Sequence, residues 1–176
     1  MDNSTSRMVY LVRYGTTPEV ARCVVNAGVT LSRGDAVVVQ THRGEQLGTL
    51  LERERSVAAV DEIEFEILRR ATEADLIQAR ESRERCEQAF GVWTQRIADW
   101  DLQIELLDVE ETLDEQKTIL YVLCERGPDS TKLALQAAAG GLGIIEVQPV
   151  SAEGLVVVAP SGGGCGTGGG GCGCEH

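Results

Sequence analysis

Apolar or small residues fall at Leu76, Ala79, Cys86, Phe90, Trp93, Ile97 and Trp100, three or four apart, with Arg83 in the remaining slot. That spacing predicts one long α-helix over residues 72–100 with these side chains on a narrow seam. Thr72, followed three residues later by Asp75, predicts a capped first turn. Both tryptophans lie on the seam. The helix is therefore expected to link two β-rich parts and pack on one or both. The seam defines a scaffold and carries no chemistry.

Before this helix the pattern changes to alternation and short valine runs. Residues 8–14 alternate, with Tyr10, Val12 and Tyr14 on one face. Residues 20–25 form a second predicted strand, and Val37-Val38-Val39 predicts a third, buried on both faces. Residues 45–52 put Leu47, Thr49 and Leu51 on one side, and Gly48 inside that strand predicts a bulge or sharp bend. Residues 57–60 and 63–68 could extend the sheet. Tight Gly turns between these strands predict a small curled β-sheet or open barrel.

After the helix, Leu102, Ile104 and Leu106 share one parity while Leu107 and Val109 share the other, which predicts a bulge near Leu106-Leu107. Residues 118–124 form a clearer strand. Asp129 or Ser130 caps a shorter helix that Gly140-Gly141 ends, and residues 144–150 make a last strand. The fold class is α+β. A β-rich lobe spans residues 8–70, and a helix-led strand–strand–helix–strand module spans 71–150. Nine of the last 16 residues are Gly, so residues 160–176 read as a flexible Gly/Cys-rich tail.

The 176 residues carry a net charge of -12, from 16 basic against 28 acidic residues. Such a chain does not attract phosphate backbones through its overall field. Five arginines nonetheless cluster locally: Arg69, Arg70, Arg80, Arg83 and Arg85. With Arg43 of the 41–44 turn they form the candidate surface for a protein partner or for RNA. The bland alternative is arginine solvating a helix face among Glu73, Glu81, Glu84 and Glu87. Residues 1–7 are polar, and no run is long and apolar enough to span a membrane. A cytoplasmic protein is expected, with Cys23, Cys86 and Cys124 as reduced core residues.

Ligand chemistry is concentrated in the tail. Cys165, Cys172, Cys174 and His176 supply enough donors for zinc, and thiolates also suit an iron–sulfur cluster. Cys172-Gly173-Cys174 lacks the two-residue gap of common zinc knuckles, and an unliganded tail is the alternative. His42 reads as a loop residue, and the two histidines of the chain assemble no nucleophilic triad. Glu110-Glu111 with Asp108 and Asp114 could attract a divalent ion, but flanking a hairpin they read as a solvated acidic edge. Arg83, a charge on an apolar stripe, must be paired or reach solvent; an internal salt bridge is the reading preferred to a docking point.

Two segments resemble the RicT/YaaT family of bacterial proteins, whose shared region is called the polymerase-suppressor C-terminal domain. One runs from Gly34-Asp35-Ala36-Val37-Val38-Val39-Gln40-Thr41-His42-Arg43-Gly44 to Gly48, and the other is Leu68-Arg69-Arg70-Ala71-Thr72-Glu73-Ala74-Asp75-Leu76. The charged helix, Leu106-Leu107-Asp108-Val109-Glu110 and the Asp129-led helix follow in the same order. The resemblance implies an accessory protein that acts with small helical partners, in complexes that influence mRNA maturation by an endoribonuclease. It also implies iron–sulfur clusters, but the cysteine-rich run of the Bacillus-type members is missing, so no ligand carries over. The expectation is a non-enzymatic cytoplasmic adaptor that binds protein partners in RNA processing. Direct RNA binding and a metal or redox role for the tail are the alternatives.

Overall fold

The computed structural model describes residues 8–25, 29–54, 64–123, 129–151 and 154–156. Five strands come first: β1 (Met8–Tyr14), β2 (Glu19–Val25), β3 (Ala36–Thr41), β4 (Gly44–Arg53) and β5 (Phe65–Arg70). They close into a barrel in the order β1-β2-β5-β3-β4, with β4 returning to β1. All pairs are antiparallel except β2 with β5. The sheet therefore goes further than the curled or open form expected: β5 bridges β2 and β3 and leaves no free edge.

Tyr10, Val12 and Tyr14 share one face, as the alternation predicts, and that face packs inward against Cys23, Val37, Val39, Leu50 and Ile67. Val37, Val38 and Val39 are all fully buried, which is why that strand shows no alternation. In β4 the inward residues are Gln46, Gly48 and Leu50, while Leu47, Thr49 and Leu51 form a half-buried outer stripe. Gly48 is not the bulge. A Cβ there would lie 2.6 Å from Val12 Cγ1, so glycine is needed for close approach. The irregularity falls at Leu51, where Leu11 faces Glu52 but Val12 faces Leu50.

Next comes α1 (Glu73–Asp99), then β6 (Glu105–Glu111), β7 (Lys117–Leu123), α2 (Asp129–Ala139), β8 (Ile144–Ser151) and β9 (Gly154–Leu155). The second sheet has the order β6-β7-β8-β9, with β7 and β8 parallel around α2. The register of β6 on β7 slips between Leu106 and Asp108, at the bulge the change of parity predicts. Trp93, Ile97 and Cys86 of α1 and Leu133 and Ala137 of α2 pack with Leu106, Val109, Leu120 and Val122. Burying each leucine, isoleucine or valine among them contributes about 1.5–3 kcal/mol before ordering costs. Gly141, at φ +66°, ends α2 in the left-handed conformation that a glycine stop supplies.

Thr72 and Asp75 form the expected capping box. The apolar seam of α1 holds only from Cys86 onward. Leu76 is 45% exposed, and the inner face of the first half is made by Asp75 and Ser82, with Gln78 half-buried beside them. The reason is what that half faces: Gln78 Nε2 donates to the Leu113 carbonyl 2.8 Å away. No helix among the described residues is long and apolar enough to cross a membrane.

Candidate functional site

The face of the second sheet opposite the helices meets the barrel through polar side chains. Arg43 sits at the turn between β3 and β4, its backbone N–H donating to Thr41 Oγ1 at 3.1 Å. Its guanidinium is almost completely buried. Nη1 lies 2.5 Å from Glu19 Oε1, Nε donates to Glu146 Oε1 at 3.1 Å, and Nη2 donates to Gln148 Oε1 at 2.9 Å. The group also lies 5.9 Å from the centre of the Tyr121 ring. A planar fork of donors suits three separate acceptors in a way a lysine could not. Lys117 Nζ holds the other Glu146 oxygen at 2.8 Å. Burial works against that carboxylate, but Lys117 and Arg43 outweigh it and hold its pKa below the usual value.

Glu110 is the second centre, 9% exposed on β6. Its Oε1 accepts from Gln46 Nε2 at 2.7 Å; its Oε2 accepts from the Thr16 amide at 3.0 Å and the Tyr121 hydroxyl at 2.7 Å. Burial, and then the Glu110 charge, push the Tyr121 hydroxyl far above its ordinary pKa, so it stays a donor. Among the described residues no buried side-chain nitrogen or oxygen lacks a partner.

Helix α1 is strapped over β6 from both flanks. Arg83 Nη1 reaches Asp108 at 3.0 Å and its Nε reaches Glu87 at 3.1 Å. Arg85 Nη2 reaches Glu111 at 2.7 Å and Glu115 at 2.8 Å. Ser82 donates to the same Glu111 at 2.9 Å. Between helix, strand and barrel remains a half-open cleft of about 210 Å³. Leu47, Ala79, Cys86, Val109 and Leu113 give it apolar walls, and the Glu110 carboxylate borders it beside Gly15 and Thr16. Burial raises the Cys86 thiol pKa, so this cysteine is no activated nucleophile.

The six arginines named from the sequence do not form one surface. Arg43 is an interior residue and leaves the set of surface candidates. Arg69 is paired with Asp75, and Arg70 lies 2.5 Å from Asp35. Arg83 makes the internal pair preferred for it, and Arg85 is held by two acids. Arg80 is exposed and has no acidic partner among the described residues. The acidic residues are not a solvated edge: Asp108, Glu110 and Glu111 hold helix and barrel in place, and Asp114 Oδ1 accepts from the Thr112 hydroxyl at 2.6 Å. His42 is exposed, its ring 5.7 Å from that of Phe65. Cys23 and Cys86 are buried and free. Cys124, Cys165, Cys172, Cys174, His176 and residues 57–60 lie outside the described residues. Among those described, no group of three or more potential ligands is placed to hold a metal.

Gln46, Tyr121, Glu146 and Gln148 were not singled out in the sequence. Gln46 was detectable in principle, since it shares the parity of Gly48 and Leu50. The others required the packing of one sheet on the other.

A closed barrel is joined by a capped helix to an α+β sheet that the helices cover on one face. Residues 65–136, from β5 through most of α2, match the family described as the PSP1 C-terminal conserved region. The chain is similar to the Stage 0 sporulation protein YaaT of Bacillus subtilis (strain 168), with 26% identity over 113 residues. That similarity covers 63% of this chain and 41% of the relative, so the chain spans about two fifths of the relative's length. No solved structure matches.

Proposed function

We propose that this protein is a non-enzymatic cytoplasmic adaptor that binds protein partners of an RNA-processing or regulatory machinery. The observation that carries the reading is apolar exposure within the PSP1 segment. Leu68 on β5 and Leu76, Ile77 and Val92 on α1 stay 40–50% exposed, although the opposite side of α1 is packed. Large apolar side chains kept in water suit contact with another protein. The ion pairing of Arg69, Arg70, Arg83 and Arg85 favours such a partner over an RNA backbone, because each arginine already has an acid. The polar side chains of the junction are engaged with one another, which suits a structural role better than proton transfer.

Affinity purification at near-native expression, followed by reconstitution from purified components, tests the proposal. A stoichiometric complex with another protein is expected. Recovery of none, or recovery of RNA alone through salt-sensitive binding, overturns it.

A further inference from the structure

We infer that the cleft between the barrel, α1 and β6 receives an arginine side chain of a protein partner; this deepens the adaptor reading and rests on it. The first ground is the charge of Glu110. Asp75, Asp108, Glu111 and Glu146 each have an arginine. Glu110 has three neutral donors and no basic side chain within ion-pair distance among the described residues. A carboxylate offers about four acceptor positions. Oε2 uses two and Oε1 one, so one position on Oε1 remains for a further donor.

The second ground is the wall. Leu47, Ala79, Val109 and Leu113, which line the cleft together with Glu110, offer aliphatic surface to the stem of a long basic side chain. Guanidinium is more weakly hydrated than ammonium and donates in a plane, which suits a narrow, half-buried site better than lysine does. The other charges at the cleft do not oppose this. Arg83, which also lines the cleft, is paired with Asp108 and Glu87, and Glu111 is covered by Arg85 and Ser82. The net charge of -12 adds a general attraction for a basic partner.

The probe is n-butylguanidinium, with n-butylurea as its uncharged counterpart, titrated into the isotope-labelled full chain and followed by amide NMR. Butylguanidinium is expected to shift Gly15, Thr16, Ala79 and Val109 saturably, with a response that weakens in salt, and butylurea several-fold less. Ala79→Phe fills the cleft and is expected to abolish the response, whereas Gln88→Phe at an exposed position of α1 leaves it intact. Equal responses to the two probes, or no response at the cleft, overturn the inference on the unaltered protein alone. A partner complex whose affinity is unchanged by Ala79→Phe overturns the cleft while the adaptor reading stands. A guanidinium response without any recoverable partner overturns the adaptor reading and supports the chemistry of the cleft.

Discussion

Arg43 and Glu146, 103 residues apart in the chain, meet at 3.1 Å with the guanidinium almost wholly buried, and this pair ties the barrel to the second sheet. Replacing Arg43 by Met leaves Glu19 without its cation and Glu146 with Lys117 alone. Breaking a buried pair from one side costs about 3–5 kcal/mol; these carboxylates keep partial access to water, so the low end is expected. Denaturant unfolding of Arg43→Met measures it, and adding Glu19→Gln to that variant should recover part of the loss.

Acid should loosen the same junction. Glu146 and Asp114 are held below the ordinary carboxylate range against the opposing effect of burial, the first by Lys117 and Arg43, the second by the Thr112 hydroxyl and backbone amides. Asp75 is held there chiefly by Arg69. A carboxyl whose folded pKa is depressed contributes stability above its unfolded pKa and loses it as pH falls through the folded value. Stability should therefore be level near neutrality and decline below about pH 4. Urea midpoints measured against pH should show a shallower acid limb in Glu146→Gln.

Two glycines should respond oppositely to alanine. At Gly48 the added methyl meets Val12 Cγ1 at 2.6 Å and the Arg13 carbonyl at 3.2 Å, so Gly48→Ala should destabilise by about 1–3 kcal/mol. At Gly91, on the exposed side of α1, nothing lies within 4 Å, and Gly91→Ala should stabilise by about 0.5–1 kcal/mol. Thermal unfolding of the two variants gives the comparison.

The two buried thiols should resist alkylation in the folded protein. Burial pushes the Cys23 pKa up to about 12 and raises that of Cys86 as well. Both thiols are therefore harder to ionise than an exposed cysteine, and iodoacetamide should modify both only after unfolding. Peptide mapping of native and denatured samples distinguishes this from a reactive Cys86, which would label in the native state because it borders the cleft.

Local chemistry made much of this protein legible in one dimension. The capping box of Thr72 and Asp75, the bulge at Leu106-Leu107, the glycine stop after α2 and the inward face of β1 all follow from neighbours within a few residues. The triple valine of β3 announced a strand covered on both sides. These features depend on backbone geometry and on the periods of strand and helix, which sequence records directly. The arginine of the β3–β4 turn reads as a surface cation by the same logic, and there the reading was wrong. Only the packing of two sheets decided that Arg43 would be buried among Glu19, Glu146 and Gln148, that Gln46 would meet Glu110, and that Glu110 would have no basic partner among the described residues. Each of those outcomes depends on partners up to about a hundred residues away, and a charge is buried or solvated according to what the rest of the chain brings to it.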